Sequence, residues 1–194
     1  MRLAALAWVA VAPRIQVPDI FEPIDQAVDN AWEPLRSSSV ADRIFYTASE
    51  AANFSRIWHG LGIVTAIIKR DPQRFVATSA ALGLEAALVN GPIKSLFERK
   101  RPEVESRPRT LRQPKTSSFP SGHASAAVVA SSFLTPGMPA PWRWAIRSLA
   151  AIVATSRIHV QIHHATDVAA GAATGWALAR LARAILRRIG LRSP

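Results

Sequence analysis

Apolar positions along this chain recur at helical spacing, with little of the alternation that marks half-buried strands. Met1 to Ala12 is apolar apart from Arg2, is too short to span a bilayer and ends at Pro13. Its length suits a signal-peptide core or a short anchoring helix equally. Residues 13 to 40 carry Pro13, Pro18, Pro23 and Pro34 among acidic side chains, and read as loop with short helical turns. Val40 to Phe54 has the striped pattern of an interfacial or packing helix. Helices are then predicted over Arg56 to Ile68, Phe75 to Ile93, Gly122 to Leu134, Ala145 to Thr155 and Val168 to Ile189.

Phe75 to Ile93 has Glu85 as its only charge and is the best candidate for a membrane span. The shorter segments would suit the buried core of a soluble helical protein by length alone, but the pattern as a whole favours a membrane bundle. Small residues at Gly83, Gly171, Ala172 and Gly175 allow helices to approach closely in either setting. With 194 residues the chain fits one principal core. It divides into an N-terminal segment, residues 1–55, and a helical-bundle domain, residues 56–194.

Composition sharpens this picture. Hydrophobic residues make up 49% of the chain, yet 24 Lys and Arg hold the mean hydropathy to +0.11. The formal charge of +11 calls for an anionic partner or surface. Basic residues cluster at Lys69–Arg74, Lys94–Lys115 and Arg180–Arg192. Two of these clusters flank apolar runs, and none is interleaved with aromatics as a nucleic-acid groove would be, so a bilayer and phosphorylated lipids are the expected partners and nucleic acid is not. The absence of cysteine excludes disulfides, thiolate metal sites and a cysteine nucleophile.

Three separated segments carry charge, histidine and turn residues beyond what packing requires. In KSLFERKRP, Lys94 and Arg101 lie about two helical turns apart and on a helix would share a face, able to grip two oxygens of one phosphate. In SSFPSGHASA, Pro120-Ser121-Gly122 turns into a helix. Free N–H groups at its start make an anion site, with the Ser121 hydroxyl as a further donor and His123 at its edge. Ser121 as a simple N-cap is the competing reading. In SRIHVQIHHATD, His163 and Asp167 have the i, i+4 spacing that lets a carboxylate orient an imidazole on one helix face, and Arg157 adds a phosphate ligand. A metal site on His159, His163 and Asp167 is the rival for this segment; otherwise His159 and His164 pack or line the rim.

Together, in this order, the segments resemble the signature of the type 2 phosphatidic acid phosphatase and vanadium haloperoxidase superfamily. Its parts are matched by Lys94 to Arg101-Pro102, Pro120 to His123, and Ser156-Arg157 to His163 to Asp167, and the resemblance covers about residues 75 to 185. It implies an all-α helical bundle, polytopic in a membrane, whose motifs gather at one end. It also implies a lipid phosphatase that needs no cofactor or metal. His163 would take the phosphoryl group, Asp167 would orient it, and His123 would protonate the leaving alcohol and later activate water. Lys94, Arg101, Arg157, Ser121 and the Gly122 amide would hold the phosphate. Histidines with an ordinary pKa near ~6.5 then predict a bell-shaped pH profile.

Candidate substrates are phosphatidic acid, phosphatidylglycerol phosphate, a polyprenyl diphosphate and a polyprenyl-linked sugar phosphate. The positive-inside rule puts the end opposite the motifs in the cytoplasm, and so the site on the outer face of the cell membrane. A soluble vanadium-dependent haloperoxidase and a non-enzymatic basic membrane binder are the alternatives, and the sequence leaves the oligomeric state open.

Overall fold

The computed structural model describes residues 13–103, 111 and 114–190, so the apolar stretch Met1–Ala12 lies outside the described residues. Its helices are α1 (Glu22–Arg36), α2 (Ser39–Ala51), α3 (Arg56–Lys69), α4 (Pro72–Leu88), α5 (Gly122–Leu134), α6 (Ala140–His159) and α7 (Ala165–Arg188). Two-residue strands β1 (Ile15–Gln16) and β2 (Phe97–Glu98) pair in parallel, tying the start of the described chain to the segment after α4. The architecture is all-α, as the patterning implies.

α5 occupies the centre, with α3, α4, α6 and α7 packed around it. It carries no charged residue, and Val129, Phe133 and Leu134 are fully buried against Trp58 of α3, Leu82 of α4 and Val153 of α6. α5 and α7 meet most closely because glycine removes the side chains between them. A Cβ at Gly171 would lie 2.3 Å from the Ser121 carbonyl oxygen, and one at Gly175 2.4 Å from that of Ser125. Gly83, in contrast, faces open space.

The proline-rich stretch before residue 40 departs from expectation: much of it is the helix α1. Pro23 sits in the first turn, where its missing N–H is no loss, and Glu22 and Asp25 favour that helix start. Pro34 falls near the end, and the tertiary gain offsets its cost. Val28 and Trp32, one turn apart, pack against Ala124, Ile158 and Val168. α2 is capped by Ser38, whose hydroxyl accepts from Ala41 N, and Tyr46 buries against Val160 and Ile162. The N-terminal pair thus lies on α6 and α7.

α4 starts where Asp71 accepts from Arg74 N and Pro72 takes the first helical position. It ends in a π-helical turn, Val89–Ile93, where Gly91 leaves helical geometry and Pro92 lacks a donor. α6 runs beyond its predicted ends, from the turn at Pro139 to His159, because flanking Arg143 and Arg157 belong to the helix despite their charge. Ala145 to Thr155 is only its apolar middle.

Candidate active site

The three motif segments converge at one end of the bundle: the exit of α4, the start of α5, and the α6–α7 junction. Convergence begins with the contact between α5 and α7. Ser121 N donates to the Asp167 carbonyl at 3.0 Å, fixing the α5 N-terminus beside the first turn of α7. Ser121 is the N-cap residue by position, yet its side chain makes no cap hydrogen bond. Its hydroxyl is fully buried without a hydrogen-bond partner among the described residues, a donor held in reserve. At Gly122 a Cβ would meet Asn90 Oδ1 at 3.0 Å, so glycine lets the π-turn lie against the α5 N-terminus.

His163 and Asp167 do not share a helix face as the spacing suggested. His163 lies in the loop before α7, and Asp167 is in the first turn of that helix. The two are brought together by a capping box in which the His164 side chain receives the Asp167 N–H and Asp167 Oδ2 accepts from His164 N at 2.9 Å. His163 Nδ1 then stands 3.5 Å from Asp167 Oδ2, at the outer limit of a hydrogen bond. On the other side of the ring, Arg101 Nη1 lies 3.3 Å from Nε2. A guanidinium can only donate, so Nε2 is the unprotonated nitrogen and Nδ1 carries the proton towards Asp167. Burial pushes the His163 pKa down to about 3, helped by Arg157 and Arg101 and opposed by Asp167. The imidazole is therefore neutral across the physiological range.

Lys94 and Arg101 also reach the site by a route other than the expected common helix. The π-turn ends at Lys94, the chain then becomes extended through β2, and Arg101 comes back over the site from an irregular segment. Arg101 is fixed by its backbone partners, donating from Nη1 to Ile162 O at 2.9 Å and from Nη2 to Thr116 O and Ser117 O at 3.2 Å each. Lys94 is buried, and its pKa falls to about 8, first through burial and then through the neighbouring Arg101 and Arg157 charges. Arg157, at the end of α6, is buried and donates from Nη1 to Ser49 Oγ. His123 lies close enough to Arg157, His163 and Lys94 to interact with them electrostatically, so it borders the same cluster. All of the expected residues, Lys94, Arg101, Ser121, Gly122, His123, Arg157, His163 and Asp167, thus lie around one centre.

His159 and His164 turn away from that centre. His159 accepts from Trp32 Nε1 at 3.2 Å, stacks on Phe45 and faces Asp42, while His164 caps α7 and contacts Lys100 O at 3.2 Å. The rival grouping of His159 with His163 and Asp167 is not formed, and among the described residues no group of three His, Cys, Asp or Glu is placed to hold a metal. A cavity of about 530 Å³ opens beside Arg101, with Arg14, Arg99, Lys100 and Lys115 in its wall.

The family model of the PAP2 superfamily matches residues 74–190, more than half of the chain. The chain belongs to the PAP2 superfamily. Among solved structures it is similar to the transmembrane PAP2 type phosphatidylglycerolphosphate phosphatase from Bacillus subtilis, with TM-score 0.65 and 20% identity over 97% of this chain and 94% of that one. No curated protein matches it.

The PAP2 site has further partners that the motifs do not reveal. Arg99 donates from Nη1 to Asp167 Oδ1 at 2.6 Å and to Thr166 Oγ1 at 2.8 Å, and from Nη2 to Asp25 Oδ2. Asp25, in α1, also accepts from Thr166 N at 2.8 Å. Asn53 Oδ1 lies 3.2 Å from His123 Nε2, and Ser49 backbone bonds the same ring. Asn53 is delivered by a turn in which Phe54 and Ser55 both take left-handed backbone angles. No spacing in the sequence marks Asp25, which the fold makes the sole buried residue of α1.

Proposed function

We propose that this PAP2 protein is a membrane phosphatase that transfers the phosphoryl group of a lipid phosphate to His163 and then to water. The observation that carries this reading is the line Asp167–His163–Arg101. A carboxylate faces Nδ1, a cation that binds oxygen faces Nε2, and the nucleophilic lone pair points to where a phosphate would sit on Lys94, Arg101 and Arg157.

Phosphoryl transfer is governed mainly by positioning and by neutralising charge on the equatorial oxygens. Lys94, Arg101, Arg157, the first amides of α5 and the Ser121 hydroxyl supply donors for that task, the part a divalent ion takes in many other sites. His163 Nε2 attacks phosphorus, the P–O bond to the alcohol breaks, and His123 gives the departing oxygen a proton. The developing imidazolium is balanced by Asp167. Water then attacks phosphorus as His123 takes its proton, the P–N bond breaks with its electron pair returning to Nε2, and inorganic phosphate and neutral His163 are released.

The membrane setting rests on the outer faces of the helices. Pro72–Ile93 is long and apolar enough to cross a bilayer. α3 exposes Ile63, Val64, Ile67 and Ile68, the last two by 71% and 72%, a patch more apolar than a water-facing surface usually carries. By the positive-inside rule, the arginines at the start of α6 and the end of α7 favour a cytoplasmic opposite end, with the site on the outer face. The basic cavity at Arg101 would receive an anionic headgroup, which fits phosphatidylglycerol phosphate, phosphatidic acid and polyprenyl phosphates alike.

The test is phosphate release in detergent from a panel of these lipids, with EDTA present. The native chain is expected to act and His163→Ala to be inactive, and brief incubation with phosphorus-labelled substrate should leave an acid-labile, base-stable label on the native chain alone. Equal activity in the variant would overturn the reading.

A further inference from the structure

At the opposite end of the bundle, a second cavity of about 310 Å³ lies between the last turn of α5, the first half of α6 and the second half of α7. Arg143, Arg147, Arg180 and Arg183 line it, and Trp176 forms its rim. No carboxylate can come from the helices that build it. Between Glu105 and Asp167 the sequence has no acid, nor has it any after Asp167. Asp167 itself belongs to the other end, about 20 Å along α7 from Arg180 at the usual helical rise.

Three of these four arginines are held over aromatic rings in place of anions. The Arg180 guanidinium lies 5.0 Å from the Trp176 ring centre, Arg183 5.2 Å from Phe133, and Arg147 5.7 Å from Trp144. Arg183 also donates to the Ser132 carbonyl, which fixes it in the cavity wall. Stacked guanidiniums keep their in-plane N–H groups free to fork onto oxygen anions. Gathering like charges in one cavity is unfavourable until an anion joins them.

We propose that this cavity binds the phosphate of an anionic phospholipid headgroup, as a site separate from the catalytic one. Trp142, Trp144 and Trp176 decide for a lipid over a free anion. All are exposed, by 66%, 64% and 58%, with Trp176 on the cavity rim, Trp144 under Arg147 and Trp142 next in sequence to Arg143, and such amphipathic rings mark the boundary between hydrocarbon and headgroups. A basic pocket between helices at that depth is built to hold an acidic headgroup. The inference rests on the bundle lying in a bilayer, but on none of the catalytic residues.

The experiment measures thermal unfolding of the purified full chain in neutral detergent, titrated with phosphatidylglycerol, phosphatidylcholine or inorganic phosphate. Phosphatidylglycerol should raise Tm by several degrees in a saturable way. Phosphatidylcholine and phosphate at equal concentration should not, and the rise should vanish in Arg147→Gln/Arg180→Gln. That variant should keep native hydrolysis of a water-soluble phosphomonoester, which shows that it is folded. Should it fail to fold, quenching by phosphatidylglycerol with brominated acyl chains replaces it: quenching above that by the brominated phosphatidylcholine, reduced in Trp176→Phe, supports the site. An equal Tm rise with phosphatidylcholine, an equal rise with inorganic phosphate, or a rise retained by the folded double variant would each overturn it. Loss of hydrolysis in His163→Ala with the lipid effect intact would separate this site from the catalytic one, and solubility without detergent would overturn the membrane setting of both.

Discussion

Arg99 Nη1 stands 2.6 Å from Asp167 Oδ1, while its other terminal nitrogen reaches Asp25 of α1. The carboxylate facing His163 is thus itself held from behind by a cation, and that cation by a second carboxylate. Asp167 is fully buried, so without Arg99 one of its oxygens would lose its charged partner in a dry site.

Arg99→Ala should therefore lower kcat roughly tenfold to a hundredfold with KM little changed, the usual effect of removing a partner that orients a reacting group. Arg99→Lys should recover part of the rate. A variant that lost both kcat and folding, with no recovery by lysine, would assign Arg99 a structural role only.

The pH dependence should be set by Lys94, by the substrate and by the protonation of His123, which burial disfavours, and not by His163. His163 is already neutral above about 3, so it places no limb near ~6.5, where an ordinary histidine would. Lys94 loses its charge above about 8, and kcat/KM should fall as pH rises through that value. A bound phosphate favours the charged ammonium, so the corresponding limb in kcat should lie higher. The acidic limb should follow the second ionisation of the phosphomonoester, about 6. Lys94→Arg should remove the part of the alkaline limb that Lys94 sets near 8, and an unchanged profile in that variant would contradict this assignment.

His123 should matter most when the leaving group is poor. Asn53 holds its ring at 3.2 Å, so Asn53→Ala should slow formation of the phosphoenzyme from alkyl phosphates by about tenfold or more. An aryl phosphate whose leaving group needs no proton should escape most of that loss. Equal losses in rapid-quench bursts with both substrates would argue against an acid role for His123.

The contact between α5 and α7 predicts a contrast in stability. Gly175→Ala sets a methyl 2.4 Å from the Ser125 carbonyl oxygen, and the forced separation should cost about 1–3 kcal/mol. Gly83→Ala meets nothing within 4 Å and should hold or raise Tm through helix propensity. Thermal unfolding of the two variants checks both outcomes.

Much of the centre was legible in the sequence because its chemistry depends on residue type and order. Charged and hydroxyl side chains at Lys94, Ser121, Arg157 and His163 stand out against apolar helices that have no use for them. Their local geometry was less legible. The expected common helix for Lys94 and Arg101 is broken by Gly91 and Pro92, and the expected helix face of His163 and Asp167 is a capping box. Asp25, Ser49, Asn53 and Arg99 were invisible because each acts through a tertiary contact spanning tens of residues, which no spacing rule encodes. α1 was missed because proline counts against a helix locally, whereas Val28 and Trp32 find partners that only the folded chain supplies.

The N-terminal helices also change what counts as the working unit. Asp25, Ser49 and Asn53 accept hydrogen bonds from Arg99, Arg157 and His123, although all three acceptors lie before residue 74, where the family match begins. Substitutions in α1 and α2 can therefore retune turnover while every signature residue stays in place. Two chains with identical motifs need not work at the same speed, and the difference would be written in the segment that family comparison passes over.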